Sequence, residues 1–238
     1  MTMTDKLLTV ENLVVGYGGR PVLTDINVHV NDNEVLCLIG HNGAGKSTLL
    51  KSIFGLVPHE GGRILFNGKA AVTEPRAMTV AGMSLVPEGR GVFPGMTVEE
   101  IMSLGMWAAG VPEKERGDRI DWVLSILPVM KKFYRTRAGN LSGGQQQMVS
   151  IGRALLSRPR CLLMDEPSIG LAPKLFQDLC GPIRELQQKT GMSILLVEQN
   201  VREALKISDR VVVMKSGQMT WEGQPAELSD NKKLMELY

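Results

Sequence analysis

VLCLIGHNGAGKSTLLKSIFG, residues 35–55, decides the fold. Its first five residues, Val35 to Ile39, are wholly apolar, as in a strand buried on both faces. Gly40, His41, Asn42, Gly43, Ala44, Gly45, Lys46 and Ser47 then match G-x-x-x-x-G-K-S/T. A helical pattern follows and stops at Gly55 and Pro58. Strand, glycine loop and helix form the context in which this octapeptide binds phosphate. The glycines let successive backbone N–H groups converge on an anion, and the helix starting near Ser47 aims its positive end at it. Lys46 is expected to neutralise β- and γ-phosphate oxygens, Ser47 to offer its hydroxyl to Mg²⁺, and Thr48 to add a further donor. The competing reading is a glycine-rich turn before an ordinary helix.

Upstream, LLTVENLVVGY and VLTDINVHV alternate in strand fashion around a turn-like GYGG, which predicts a small antiparallel sheet. Downstream, RILFNG and the stretch ending in SLVPE read as strands, and Met96 to about Arg160 is mostly helical. CLLMDE at 161–166 and SILLVEQN at 193–200 are apolar strands separated by a helix around Lys174 to Lys189. Such alternation calls for a parallel sheet. DRVVVMKSGQMTWEG reads as a hairpin through Ser216 and Gly217, followed by a short helical tail.

The 238 residues suit one domain or two integrated subdomains, and 43% hydrophobic with 22% charged residues is an ordinary globular balance. A net charge of +2, spread along the chain, gives no reason to expect nucleic acid as partner. The apolar runs fall far short of the ~18 residues that cross a bilayer, and MTMTDKLLTVEN lacks the pattern of a secretory signal. Cys37, Cys161 and Cys180 match neither a disulfide framework nor a metal clip and read as buried hydrophobes in a reducing cytosol.

Asp165 and Glu166 end an apolar strand. Ligands of open parallel sheets lie at the carboxyl ends of the strands, so both acids arrive where the phosphates sit. Strand alternation sends adjacent side chains to opposite sides. Asp165 is thus assigned to the metal shell, and Glu166, just past the strand, to orienting or deprotonating an attacking water. Ser142, Gly143, Gly144 and Gln145, in LSGGQ before the helical run QQQMVSIGRALL, form a second anion cradle or a plain helix cap.

The phosphate loop, LSGGQ and CLLMDE, in this order and spacing, resemble the ATP-binding cassette ATPases over essentially the whole chain. The resemblance implies an α/β fold, a P-loop NTPase (RecA-like) core with a parallel sheet, a small antiparallel β subdomain and a helical subdomain. The core would take residues 1–88 and 161–238, and the helical subdomain 89–160. It implies ATP and Mg²⁺ as ligands. It further implies a head-to-tail dimer, in which Ser142 to Gln145 of one subunit close over ATP held by Lys46 of the other. Tyr17 stands where the family stacks an aromatic ring on adenine; alternatively it packs on the small sheet.

Three positions depart from the general family pattern. Glu88, in VPEGR, replaces a usual Gln and is placed in the γ-phosphate and metal shell. Gln199, in VEQN, replaces a usual switch His and is expected to give the γ-phosphate a neutral amide donor. Ala172, in PSIGLAP, stands where an Asp commonly closes the dimer-contact loop. Together they resemble the ATP-binding subunits of branched-chain amino acid importers, with urea and short-amide importers similar. The implied partners are a second copy or a paralogous cassette, integral-membrane permease subunits and, indirectly, a solute-binding protein. The implied location is the cytoplasmic face of the cell membrane.

Other features have plainer readings. Met78, Met83, Met96, Met102 and Met106 either fill the core or line a groove for a permease helix. Lys131, Lys132, Arg135 and Arg137 read as a solvated face, with phosphate or lipid contact as the minority reading. Arg63 and Lys69 are solvated strand charges. A soluble cassette acting on ribosomes or DNA, a GTPase and a binding module without turnover compete with the transporter reading. The guanine-reading N-K-x-D is absent, neither a second cassette nor a long coiled-coil insertion is present, and Glu166 is retained.

Overall fold

The computed structural model describes residues 6–171 and 173–228. In the first sheet β1 (Lys6–Tyr17) and β2 (Arg20–Asn31) pair antiparallel, and β4 (Gly61–Phe66) and β5 (Lys69–Ala70) extend it in the order β2-β1-β4-β5. The second sheet holds β3 (Val35–Ile39), β6 (Met83–Val86), β7 (Cys161–Asp165), β8 (Ser193–Glu198), β9 (Arg210–Lys215) and β10 (Gln218–Gly223). Its order is β10-β9-β3-β8-β7-β6, parallel except for the β9–β10 hairpin. That hairpin turns at Ser216 and Gly217 as the sequence predicts, both with positive φ. Ile39 lies level with Glu198, and Asp165 with Val197, so the carboxyl ends of β3, β8 and β7 form one edge.

The helices are α1 (Lys46–Phe54), α2 (Pro75–Ala81), α3 (Val98–Ala108), α4 (Arg116–Ile126), α5 (Gly143–Leu155), α6 (Pro173–Thr190) and α7 (Val201–Ile207). Strand alternation splits the interior into two cores. Cys37, Ile39, Met164 and Leu196 face α3, α4, α5 and α6 on one side of the central sheet. Leu36, Leu38, Leu163 and Leu195 face α1 and the antiparallel sheet on the other. Leu49, Leu50 and Ile53 pin α1 there, each worth about 1.5–3 kcal/mol on burial. The helical stretch has no core of its own, because Val98, Ile101, Val123 and Val149 belong to the same cluster as the sheet.

Several details differ from the sequence reading. The helix after the phosphate loop begins at Lys46, because Gly45 already serves as its N-cap. Between Met96 and Arg160 the three α-helices are joined by short 3-10 turns at Glu113–Glu115, Pro128–Phe133 and Ala138–Asn140. Pro128, which cannot continue the ladder of α4, opens the second of these turns. Tyr17 ends β1, and Gly18 and Gly19 alone make the turn. Of the tail, a 3-10 turn at Pro225–Leu228 is described, and its remainder lies outside the described residues, as does Ala172.

The three cysteines are free and buried. Burial raises all three thiols, that of Cys161 to about 12, which leaves them inert. Met78, Met83, Met102 and Met106 are core residues, and Met96 packs half-buried against the first cluster. Lys131, Lys132, Arg135 and Arg137 are exposed. Lys69 and Arg63 are both exposed, and Arg63 also pairs with Glu11 across β1 and β4.

Candidate functional site

The loop between β3 and α1 is held by three other segments. A Cβ on Gly40 would lie 2.2 Å from the Met214 carbonyl oxygen of β9, so only glycine lets the strand end pass. Gly45 has φ 103° and faces the Leu23 side chain of β2, an arrangement that a side chain at 45 would strain. Gly217, at the β9–β10 turn, donates its N–H to the Ala44 carbonyl at 2.9 Å. Asn42 and Gly43 remain exposed at the loop's crest.

Lys46 is only 4% exposed. Its ammonium donates to the Gly40 carbonyl at 2.7 Å and the His41 carbonyl at 3.0 Å, and pairs with Glu166 Oε1 at 3.3 Å. One residue on, the Ser47 hydroxyl donates to Asp165 Oδ1 at 2.8 Å. Glu166 Oε2 accepts from the Gln199 amide Nε2. Strand alternation alone would part the two acids. Glu166 has φ 47°, so the chain turns left-handed at the strand end and both carboxylates reach the α1 side. Burial raises the Asp165 carboxyl above its ordinary range. The Ser47 bond and Lys51 oppose the shift, and Glu166 and Glu88 reinforce it.

Lys46, Ser47, Glu166 and Gln199 line one cleft of about 450 Å³, with Asn42, Gly43, Gly45 and Thr48 beside the first two and Glu88 and Ile169 beside the others, while the buried Asp165 reaches it only through its bond from Ser47. Val22 of β2 closes the end. Tyr17 does not line the cleft; it is 53% exposed at the tip of the hairpin that carries Val22. Glu88 is exposed in the turn after β6.

Two residues at the site go unread in the sequence. Glu198, the last residue of β8, is 0% exposed and accepts hydrogen bonds from Ser168, Gln199 and Asn200. Arg90, just beyond Glu88, donates to Gln146 Oε1 of α5 at 3.0 Å, and its guanidinium occupies the space that a side chain on Gly143 would fill. The motif VEQN holds a signal for the first, since a carboxylate ending an otherwise apolar strand must find donors. Nothing in the sequence pattern marks the second.

The donor set fits a phosphate chain. Backbone N–H groups at an α-helix start, a buried ammonium and two hydroxyls face one cleft of mixed polarity. It fits Mg²⁺ as well, through the Ser47 hydroxyl and the Asp165 carboxylate, hard oxygen ligands to a cation that takes few protein groups beside phosphate and water. Among the described residues no group of three His, Cys, Asp or Glu is assembled to hold a metal by itself.

A family model described as ABC transporter matches residues 23–169, which include the phosphate loop, the Ser142–Gln145 segment and both strand-end acids. The chain belongs to the ABC transporter family. It is 39% identical over 233 residues to the high-affinity branched-chain amino acid transport ATP-binding protein BraG of Pseudomonas aeruginosa, covering 98% of this chain and 99% of the relative. Identity is 36% to a probable branched-chain amino acid transport ATP-binding protein, LivF, of Archaeoglobus fulgidus, over 97% and 98% of the two chains. Among solved structures, the ADP conformation of an ATP-binding cassette of an ABC transporter superposes with a TM-score of 0.84 at 30% identity, covering 99% of each chain. The protein is a nucleotide-binding ATPase cassette of this family.

In this ABC cassette, Ser142 caps α5. Its hydroxyl accepts from the Gln145 N–H at 3.4 Å, and the Gln145 side chain accepts from the Ser142 N–H at 2.9 Å, a reciprocal capping box. Gly144 is buried beneath it. Ser142, Gly143, Gly144 and Gln145 lie outside the Lys46 cleft of their own subunit. Glu88 and Gln199 both line that cleft, so two of the three departures from the general cassette pattern fall in it.

Proposed function

We propose that this cassette is the ATP-hydrolysing subunit of an importer for branched-chain or similar amino acids, working on the cytoplasmic face of the membrane. The observation that carries the chemistry is the convergence of Lys46, Ser47–Asp165 and Glu166–Gln199 in one cleft. The solute class rests on the likeness to BraG and LivF.

In the proposed mechanism the backbone N–H groups of residues 43–48 and the Lys46 ammonium bind the phosphates of ATP. Lys46 then exchanges its contact with Glu166 for phosphate oxygens, and Glu166 becomes free to accept a proton from the attacking water. Gln199 donates one amide N–H toward the γ-phosphate and keeps Glu166 aligned. Ser47 and Asp165 hold Mg²⁺, which when bound neutralises charge developing on the phosphates. Glu88 closes the far side of the cleft, and Tyr17 offers a ring at the hairpin tip for the adenine. Completion requires a head-to-tail partner, either a second copy, whose Ser142–Gln145 cap supplies N–H donors from the other side, or a paralogous cassette with a cap of the same kind.

A hollow of about 360 Å³ between α2, α3 and α5, with Phe54, Leu85, Phe93, Leu104 and Ala108 among its lining, supports docking of a permease helix. Trp107, on the same helix α3 as Leu104 and Ala108, is 71% exposed. Residues 89–93 run from the Glu88 turn to Phe93 at the hollow, a short path between the two. Purification from membranes at low expression tests the assembly. It should recover two different permease chains and a paralogous cassette, and recovery only with ribosomes would refute the transporter reading. Uptake of labelled leucine restored by the chain in a deletion strain, against labelled urea, tests the solute.

A further inference from the structure

Beyond the phosphate loop and the two strand-end acids, the described residues contain one more buried carboxylate at the carboxyl ends of the strands. β8 reads Ser193-Ile-Leu-Leu-Val-Glu198 and is buried throughout. Its alternation sends Ile194, Leu196 and Glu198 to the side of α6, away from α1, so Glu198 cannot itself reach the phosphates. Both of its oxygens are nonetheless in use. Oε1 accepts from the Ser168 backbone N–H at 2.9 Å, and Oε2 from the Ser168 hydroxyl at 2.6 Å. Oε2 also accepts from the backbone N–H groups of Gln199 at 3.1 Å and Asn200 at 3.4 Å. Ser168 sits two residues past Glu166, in a turn that closes through the Ile169 N–H to the Glu166 carbonyl at 3.1 Å. One carboxylate thus grips two loops, one bearing Glu166 and the other Gln199.

Filling the end of a strand does not require a charge. The four preceding residues, Ile194 to Val197, are apolar, and an apolar residue would bury there at no desolvation cost. Among the described residues no Lys, Arg or His forms an ion pair with Glu198, so N–H and O–H donors alone offset its burial. Burial raises its carboxyl, and the four hydrogen bonds oppose the shift. An arrangement this costly is kept for the geometry that it imposes.

We propose that Glu198 is a positioning residue for hydrolysis, clamping the 166–171 loop to residues 199–200 so that the Glu166 carboxylate and the Gln199 amide stay in register. This rests on the roles proposed above for Glu166 and Gln199. The clamp makes the two loops one mechanical unit, in which a displacement of Ser168 is passed to Gln199 through a single side chain. It acts on the chemical step and not on ATP binding, because neither loop contributes to the phosphate-binding N–H groups of residues 43–48.

The test uses Glu198→Gln, Ser168→Ala and the double variant, each purified as the full chain, with Glu166→Gln alongside. Steady-state ATPase activity, affinity for a non-hydrolysable ATP analogue and the melting temperature are measured. Each single variant should lose about ten-fold in kcat while affinity stays within about two-fold. The double variant should be no slower than the slower single one, because both changes weaken the same link: Ser168→Ala removes its hydroxyl bond and keeps its backbone N–H bond, and Glu198→Gln loosens both. A purely structural role would change the melting temperature and leave kcat of the folded protein alone. Wild-type kcat in Glu198→Gln or in Ser168→Ala overturns the clamp, as do losses that multiply in the double variant. Ser168→Ala carries the test if the buried substitution does not fold. Loss of activity in Glu166→Gln with normal turnover in Glu198→Gln removes the clamp alone, whereas normal turnover in Glu166→Gln removes the mechanism beneath it.

Discussion

Gly40→Ala adds one methyl group where β3 leaves the sheet, and its consequence follows from a single distance. The new Cβ would sit 2.2 Å from the Met214 carbonyl oxygen, where about 3 Å is the least that such a contact tolerates. Either the strand end or β9 must therefore retreat by roughly 0.8 Å or more, in a region where neighbouring side chains are packed at the density of an organic crystal. Overpacking of this kind costs about 1–3 kcal/mol. For a domain of this size each kcal/mol lowers the melting temperature by roughly 2–4 °C, so a fall of about 2–12 °C is expected by calorimetry. The displaced residue is also the root of the phosphate loop, whose carbonyl accepts from Lys46 at 2.7 Å. ATP affinity should drop about ten-fold, the equivalent of ~1.4 kcal/mol, in a fluorescence titration. The alanine variant melting and binding ATP like the wild type would refute the claim that β9 sets the position of the loop.

Glu166→Gln should still bind ATP while steady-state turnover falls about 10²-fold or more, as expected for loss of a general base. Lys46→Ala should instead weaken nucleotide binding itself, read by titration, because it removes the buried counter-charge. Gln199→Ala should slow ATP turnover of the assembled complex roughly ten-fold with little change in affinity, one transition-state hydrogen bond being lost. Asp165→Asn should raise the nucleotide-free melting temperature at neutral pH. The raised Asp165 carboxyl means that its charged form is disfavoured on folding, so the wild type regains stability as pH falls through the carboxylate range and the gap should close. A gap that widens toward low pH would reverse the sign assigned to the burial of Asp165.

How far the sequence carries depends on whether a local rule governs the residue. The strand–loop–helix at 35–55 and the apolar runs at 161–164 and 194–197 are legible, because burial on both faces confines polar residues to the ends of a central parallel strand. The destination of Glu166 is not, because a left-handed φ overrides the alternation by which the two acids would be parted. α2 escapes notice because seven residues, with Met78 alone buried, carry too little periodicity. The bond of Glu198 to Ser168 and that of Arg90 to Gln146 escape because they span 30 and 56 residues in sequence, and hydrogen bonds of that span leave no spacing to read. Of the candidate residues, those on the phosphate loop are fixed by a motif, whereas Tyr17 and the Ser142–Gln145 cap are motif residues that their own subunit's cleft does not include.

The place of β3 in the central sheet sets the order in which the protein can become competent as it is made. Both neighbours of β3, β8 and β9, lie more than 150 residues later in the chain, and the turn that grips Ala44 is at Gly217. A nascent chain carrying its complete phosphate-loop motif therefore holds a strand with neither edge paired until residues 193–217 leave the ribosome. Nucleotide can lend no stability to the growing cassette. Any message truncated between the motif and residue 165 yields a chain that has the phosphate loop and lacks both strand-end acids and Gln199.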